Sequence, residues 1–276
     1  MKYKIIGDSC CDMTSDMLSK EYYESVPLKL YIDGEEIIDD ETFEQAPFLE
    51  KLEKSVECPK SSCPSPEEYM KSYEGAENVF VVTLSSKLSG SYNSAVLAGQ
   101  LYNETNPGVK IHVFDSKTAA AGQYLTCEFI ENLMNKGLEF EEIVEKTTDY
   151  INNQQTVFVL EDLEVMRKNG RLTKLKAVVA NVLNIKPVLY GVDGEIHQLD
   201  QARGMNKALN RLLAYIDQGK FDTNRKVVIT QCDSRERCLN IKKVMEEKIG
   251  FKDIKIVDAG GISSMYESRG GVIVSF

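Results

Sequence analysis

The sequence predicts an α/β fold with an N-terminal parallel-sheet domain and a C-terminal mixed-sheet α+β domain. Strand-like and helix-like segments alternate through the first half of the chain, and this order builds a parallel sheet with crossover helices. Residues 78–84, NVFVVTL, form a continuous apolar run, which is typical of a parallel strand buried on both faces. In the second half, Asp193-Gly194 separates two strand-like runs and indicates an antiparallel hairpin.

The first predicted domain spans residues 1–153. Asp33-Gly34 is a hairpin turn signal, and Phe48 and Leu52 have the spacing of one face of an amphipathic helix. The strands are expected at residues 2–7, 26–32, 36–38, 78–84 and 109–114, and the helices at about residues 14–21, 43–55, 91–102, 118–135 and 140–152.

A further short helix is expected to begin at Pro66. Ser65 is suited to the N-cap, Pro66 to the first helical position, and Glu68 to the reciprocal hydrogen bond of a capping box. Ser61 and Ser62 are accordingly expected in a loop just before the N-terminus of this helix.

The second predicted domain spans residues 154–276, after a turn at residues 152–155. Gly170 is expected to end a short helix, and Leu209, Leu212 and Ile216 lie on one side of a longer one. The strands are expected at residues 156–160, 185–190, 195–201, 226–231, 254–258 and 271–276, and the helices at residues 165–169, 174–183, 205–217 and 236–249.

The composition is that of a globular protein with a sizeable core. The chain has 276 residues, 42% hydrophobic and 28% charged. We find no run of the roughly 20 apolar residues that a membrane span requires. The opening KYKIIGD is strand-like rather than a signal peptide, so we expect a cytoplasmic protein that is not integral to a membrane. The net charge of −10 disfavours nucleic acid, because phosphate binding needs clustered Lys and Arg.

The cysteines and histidines form no pattern typical of a metal site or a nucleophile. The seven cysteines are irregularly spaced without a CxxC pair, and we expect reduced thiols. Cys10-Cys11 is conceivable as a redox pair, but two small apolar side chains at a strand end are the simpler interpretation. A serine nucleophile would need His112 or His197 as its base; we expect the first to pack in a strand and the second to be exposed. We therefore predict no catalytic residue, no metal and no cofactor.

Serine-bearing loops are expected at the carboxyl ends of three parallel strands, where ligands bind in such sheets. These loops contain Asp8-Ser9, Ser85-Ser86 and Asp115-Ser116. Ser89 is a candidate N-cap whose helix could bind an oxyanion, although simple capping, which stabilises by about 1 kcal/mol, is the alternative. Together with Ser61 and Ser62, this predicts two helix N-termini that converge on one carboxylate. We expect Asp8 to cap a loop rather than bind a metal.

Seven short segments, in order along the chain, resemble those of one protein family. They are Asp8-Ser9, residues 61–66 (SSCPSP), 88–95 (LSGSYNSA), 115–117 (DSK), 170–172 (GRL), 184–187 (NIKP) and 202–204 (ARG). The sequence is similar in this respect to the DegV family, which includes the fatty-acid-binding subunits of bacterial fatty acid kinase. Any one segment is weak, but the ordered set covers essentially the whole chain.

The resemblance implies a two-domain α/β fold that buries a long-chain fatty acid. It implies that the hydroxyl groups of Ser61 or Ser62 and of Ser89 hold the carboxylate, with Asn93 nearby. In this family a separate kinase subunit phosphorylates the bound fatty acid, so the chain itself is expected to be a carrier and not an enzyme.

Two arginines beside glycines near element ends, Arg171 and Arg203, are candidates to face a phosphate or the kinase. From the residues alone, solvated arginines at turns are an equally good interpretation.

Three positions depart from the pattern of the family. Ser61 stands where threonine is common and keeps the hydroxyl group, and Cys63 replaces a common glutamine. Tyr266 stands at the histidine of a His-x-Gly-Pro-Gly segment. A tyrosine can donate a hydrogen bond to a carboxylate but is no cation at neutral pH, since an ordinary phenol titrates near about 10. Arg269 either replaces the lost charge or lies on the surface.

Two alternatives to a presenting carrier stay open. One is an enzyme that acts on a small carboxylate at the same serine loops, which the missing base and metal patterns disfavour. The other is a protein that binds lipid without presenting it to a kinase, which the tyrosine at position 266 motivates.

Overall fold

The computed structural model of the protein describes residues 1–172 and 184–276, and the helix expected at residues 174–183 lies outside the described residues. The N-terminal strands are β1 (Tyr3–Asp8), β2 (Tyr23–Val26), β3 (Lys29–Ile32), β4 (Glu35–Ile38), β5 (Lys60–Ser62), β6 (Asn78–Thr83) and β7 (Lys110–Asp115). The N-terminal helices are α1 (Ser15–Leu18), α2 (Gln45–Lys54), α3 (Pro66–Ser72), α4 (Ser91–Thr105), α5 (Ala121–Asn135) and α6 (Phe140–Asn153), and a 3-10 turn follows β1 at Ser9–Cys11.

Four of these strands form the predicted parallel sheet, in the order β2-β1-β6-β7. The apolar run at residues 78–84 forms β6, in which five of the six residues are buried. The sheet therefore has both faces covered, and the carboxyl ends of β1, β6 and β7 meet at one edge.

The strand predicted at residues 26–32 is two strands in different sheets. Pro27 lies between β2 and β3, where its ring and its missing N–H interrupt a ladder of hydrogen bonds. The predicted turn at Asp33-Gly34 is confirmed, with φ of 48° and 82° at the two residues. It joins β3 to β4 in a small antiparallel sheet of order β4-β3-β5.

The loop expected to contain Ser61 and Ser62 is instead strand β5, in which Ser61 pairs with Leu30 and Ser62 with Lys29. Because successive side chains of a strand point to opposite faces, the two serines face different surroundings. No local pattern in the three residues distinguishes such a short strand from a loop.

The C-terminal strands are β8 (Thr156–Val159), β9 (Ile185–Val192), β10 (Glu195–Arg203), β11 (Val227–Gln231), β12 (Ile254–Asp258) and β13 (Val272–Ser275). The helices are α7 (Glu164–Lys168), α8 (Met205–Gln218), α9 (Arg235–Val244), which continues into a π-helical turn at Met245–Ile249, and α10 (Gly261–Glu267). The sheet order is β10-β9-β8-β13-β11-β12; β11 and β12 are parallel and the other neighbours are antiparallel. The predicted mixed sheet and the hairpin at Asp193-Gly194 are both confirmed.

Helix α5 lies between the two large sheets. It contacts β1 and β6 on one side and β11 and β13 on the other. Nine of its residues are buried, which is typical of a helix enclosed on most of its circumference. One apolar cluster accordingly contains Ile5 and Phe80 of the first sheet together with Val228 and Ile273 of the second. The two halves share a core through α5, and the boundary between residues 153 and 154 stays a prediction.

Helix α10 was not expected from the sequence, because its N-cap is Gly260 and no local side chain caps it. Two distant carboxylates do so. Asp39 accepts hydrogen bonds from the amides of Gly261 (2.6 Å) and Ile262 (2.9 Å), and Asp12 accepts one from the amide of Gly260 (2.8 Å). A Cβ atom on Gly261 would lie 2.6 Å from Oδ1 of Asp39, so glycine permits this approach.

We expect Asp39→Ala to lower the free energy of unfolding by about 2 kcal/mol, because it leaves two buried amides of α10 without an acceptor. Urea unfolding followed by circular dichroism measures the change. Asp40→Ala is the matched control, since the carboxylate of Asp40 accepts its hydrogen bonds from the neighbouring Thr42, at the surface, and not from α10. Equal stability of the two variants would contradict the capping role of Asp39.

Candidate functional site

Asp8, the last residue of β1, organises the sheet edge. Its Oδ2 accepts hydrogen bonds from the amide of Leu84 (2.8 Å) and the hydroxyl of Ser91 (2.6 Å), and its Oδ1 accepts one from Nε2 of Gln123 (2.9 Å). Burial raises the pKa of Asp8 to about 6, and the hydrogen bonds from Ser91 and Gln123 oppose that rise. The expectation that Asp8 caps a loop is confirmed: it holds the segment after β6 and the start of α4.

The serines of the other two strand-end loops are also used by the fold. Asp115 accepts hydrogen bonds from the amides of Ser86 (3.1 Å) and Lys117 (3.0 Å) and from the hydroxyl of Ser86. The hydroxyl of Ser85 donates to the carbonyl oxygen of Gly194 (2.7 Å) and so ties the loop after β6 to the β9–β10 hairpin. The hydroxyl groups of Ser85 and Ser86 thus stabilise the loop after β6 through hydrogen bonds within the protein.

The predicted convergence of two free helix N-termini is wrong in its details. The capping box of Ser65 and Glu68 is present as expected, and it occupies the N-terminus of α3. Gly90 rather than Ser89 is the N-cap of α4, and the hydroxyl oxygen of Ser89 accepts a hydrogen bond from the amide of Ser91 (3.2 Å). Any anion site near Ser61 and Ser89 therefore depends on side chains more than on the ends of helices.

A cavity lies where the small sheet, the loop after β6, α7, α10 and the second large sheet meet. Most of its wall is apolar, and its polar side chains come from a few positions. The lining residues are Cys10, Leu28, Ser61, Leu84, Leu88, Ser89, Ala119, Ala120, Met166, Arg171, Ile196, Ile262, Ser263, Tyr266, Glu267 and Ile273.

Three polar residues of the wall form a cluster. The hydroxyl groups of Ser61 and Tyr266 are 3.2 Å apart. The guanidinium of Arg171 lies over the Tyr266 ring, 5.9 Å from its centroid, and Nε of Arg171 donates to the carbonyl oxygen of Leu88 (3.2 Å), next to Ser89. The structure thus brings Ser61, Ser89, Tyr266 and Arg171 to one cavity, where they offer hydroxyl donors and one positive charge.

Other residues named from the sequence lie elsewhere. The hydroxyl of Ser62 is 3.3 Å from that of Tyr31. Asn93 is exposed in the first turn of α4, and Arg203 is exposed at the end of β10. Arg269 forms ion pairs with Glu53 and Asp233 outside this cavity.

The sequence analysis missed the second polar face of α10, formed by Ser263 and Glu267. The hydroxyl of Ser263 donates to the Oδ atoms of Asp12 (both 2.9 Å). Glu267 is 1% exposed, and neither of its carboxyl oxygens has a hydrogen-bond partner among the described residues. Burial, with a smaller effect of the nearby Asp12, raises the pKa of Glu267 well above its ordinary value. No local sequence pattern predicts that Glu267, an acidic residue at the end of a helix that was itself not predicted, is buried.

Cys10 is the one cysteine among the described residues that line the cavity, and neither histidine lines it. His112 packs edge-on against Phe114, with ring centroids 4.5 Å apart, and burial lowers its pKa. Cys10 lines the cavity as a thiol whose pKa burial raises well above the usual range. Cys11 lies 3.5 Å from Cys127, sulfur to sulfur, in the core. Within residues 1–172 and 184–276, no group of three or more His, Cys, Asp or Glu side chains is placed to bind a metal ion.

None of the helices in the described part of the chain has the length and apolar character needed to cross a membrane.

We expect Glu267→Gln to gain stability relative to the wild type as pH rises from about 4.5 to 7. Glu267 stays protonated in the folded state but ionises in the unfolded chain above its ordinary pKa of 4.5. The folded wild type therefore binds more protons than the unfolded one, and its free energy of unfolding falls by up to about 1.4 kcal/mol per pH unit. Glutamine has no such proton.

Urea unfolding at several pH values measures this difference, with the exposed Glu247→Gln as the control. If the difference in free energy of unfolding between the wild type and Glu267→Gln stayed constant over this pH range, Glu267 would be ionised in the folded protein.

Comparison with known proteins places the chain in a family. A family model described as "Uncharacterised protein, DegV family" matches residues 2–275. A DegV domain-containing protein of Streptococcus pneumoniae is 34% identical over 280 residues, covering 100% of this chain and 99% of that protein.

Two solved structures share the whole fold. A DegV family protein from Ruminococcus gnavus, in a refinement with vaccenic acid, is 41% identical with a TM-score of 0.95, covering 99% of each chain. The fatty acid kinase B3 protein of Streptococcus pneumoniae, loaded with linoleic acid, is 34% identical with a TM-score of 0.93, covering 100% of this chain and 99% of that one. From the match over residues 2–275 and these relatives, the chain belongs to the DegV family.

Proposed function

We propose that the protein binds a long-chain fatty acid and presents its carboxyl group to a separate fatty acid kinase. The observation on which this rests is the cluster of Ser61, Tyr266 and Arg171 in a mostly apolar cavity. A fatty acid has the same division, with one charged end and a long apolar chain.

The polar cluster suits a carboxylate. The hydroxyl groups of Ser61 and Tyr266 can each donate one hydrogen bond, and the hydroxyl of Ser89 lies on the same wall. Arg171 supplies the positive charge that the family's histidine would otherwise provide, and hydrogen bonds to an ionised group are the stronger kind. In this proposal Arg171 has the role of a headgroup ligand as well as the phosphate-facing one expected from the sequence.

The apolar wall supplies most of the binding free energy. Burial of an acyl chain is favourable by about 0.8 kcal/mol for each CH₂ group, so a few polar contacts at one end are sufficient to orient it. Leu28 lies just before β3, Ile196 in β10 and Ile273 in β13, so the apolar wall would enclose the acyl chain between the two halves of the protein.

The relatives support the same ligand class. The Ruminococcus gnavus protein has vaccenic acid and the Streptococcus pneumoniae protein has linoleic acid. The name of the second protein also supports a kinase as the partner. The alternative of an enzyme acting on a small carboxylate has no support from these relatives.

We expect protein purified from bacteria to release a fatty acid on solvent extraction, and lipid-free protein to bind oleate. Ser61→Ala should weaken oleate binding about fivefold to tenfold, because it removes one hydrogen bond to a charged group. Mass spectrometry and calorimetric titration are the measurements.

Ser62→Ala is the matched control, because Ser62 is next to Ser61 in the chain but its hydroxyl faces Tyr31 instead of the cavity. A preparation that contains no lipid and does not bind added oleate would refute the proposed function. Equal losses in the two serine variants would refute only the assignment of Ser61.

We expect Arg203→Ala to reduce acyl phosphate formation with a bacterial fatty acid kinase at least about fivefold while oleate affinity is unchanged. Arg203 is exposed and lies outside the cavity wall, so its guanidinium is accessible to an acidic or phosphate group of a partner. Arg211→Ala, an exposed arginine paired with Asp200, is the control. If the wild-type protein binds oleate but supports no acyl phosphate formation, it carries the fatty acid without presenting it to the kinase.

A further inference from the structure

Glu267 differs from three other buried acids of the fold in its hydrogen bonding. Asp8, Asp12 and Asp39 are each held by hydrogen bonds from amides or side chains of the fold. Glu267 is equally buried and is the one acid among the residues that line the cavity, yet both of its carboxyl oxygens are unpartnered among the described residues. A buried polar group left without a hydrogen bond costs about 1–3 kcal/mol, so the fold holds this carboxyl group in place against a penalty.

The carboxyl group of Glu267 lies apart from the headgroup cluster. Successive residues of an α-helix point about 100° apart, so Glu267 and Tyr266 project in different directions from α10. Tyr266 faces Ser61 and Arg171. The carboxyl group of Glu267 is within electrostatic range of Cys232 and Cys238, two residues of the C-terminal half. Glu267 therefore borders the part of the cavity formed by the C-terminal half of the protein.

The chemistry of a neutral carboxyl group defines what it can recognise. Because its pKa is raised, Glu267 offers one O–H donor and one carbonyl acceptor. An alcohol group has the complementary pair, since its oxygen accepts one hydrogen bond and its proton donates another. A ketone would satisfy only the donor, and an unsubstituted methylene chain would satisfy neither.

We propose that Glu267 is a second polar recognition site within the acyl cavity, and that it selects long-chain fatty acids with a hydroxyl group along the chain. This inference rests on the proposed function, because it needs an acyl chain in the cavity. It names a substrate class: hydroxy fatty acids, with the carboxylate at Ser61 and Tyr266 and the alcohol at Glu267.

The test compares stearic acid with a panel of monohydroxystearic acids that differ in the position of the hydroxyl group. Calorimetric titration of the lipid-free wild type should find at least one isomer that binds about fivefold to tenfold more tightly than stearic acid. Glu267→Gln should keep this preference, because an amide also has a donor and an acceptor. Glu267→Leu should lose or reverse it, while binding stearic acid at least as tightly as the wild type.

Glu247→Leu, on the exposed surface, is the matched control and should leave both affinities unchanged. Thermal unfolding of Glu267→Leu checks that the variant is folded, and an apolar replacement of similar size is expected to keep its stability. A wild type that binds stearic acid and no isomer more tightly, or a preference that persists in Glu267→Leu, would overturn this inference and leave fatty acid binding intact. A wild type that binds neither class would overturn both.

Discussion

The start of α10 is the contact on which the cavity depends. Its first amides bond to Asp12 and Asp39, two carboxylates from the N-terminal half of the chain, and Ser263 of the same helix bonds to Asp12 again. Burial disfavours the charged form of both acids. Since burial of a carboxyl group without a hydrogen-bond partner costs free energy, the bonds to α10 stabilise both acids as well as the helix. The helix that bears Tyr266 and Glu267 is thereby fixed to the other half of the protein, and the wall between the halves acquires its polar positions.

The serines near this wall divide into two kinds. Some serines that follow the parallel strands donate hydrogen bonds within the fold, as Ser91 does to Asp8 and Ser86 does to Asp115. Ser61 comes from a short edge strand, and within the described part of the chain its hydroxyl contacts that of Tyr266, another residue of the cavity wall. The carboxylates at the ends of the parallel strands therefore fix the loops of the fold. The candidate ligand contacts come from side chains outside the parallel sheet.

The regular parts of the fold were predictable, and the parts that depend on distant contacts were not. β6 and the Asp193-Gly194 hairpin follow from local composition and turn chemistry, and the α3 capping box follows from three residues. Helix α10 is different, since it is capped from more than two hundred residues away in the chain. Ser61, Ser89 and Tyr266 were named through the family resemblance, which assigned Arg171 to a phosphate-facing or kinase-facing surface instead. The position of Arg171 over the Tyr266 ring, and the burial of Glu267 on α10, required the structure.

The tyrosine at position 266 changes how the headgroup cluster responds to its surroundings. An imidazole titrates near about 6.5 and would add or remove a positive charge as a cell acidifies or recovers. A phenol cannot gain a positive charge, and the cation beside the Tyr266 ring is the guanidinium of Arg171 rather than an imidazole. The cluster thus contains no imidazole whose charge changes near neutral pH. Within the proposed function, mild acidification would leave the charge of the headgroup cluster unchanged, whereas a histidine at position 266 would gain a positive charge.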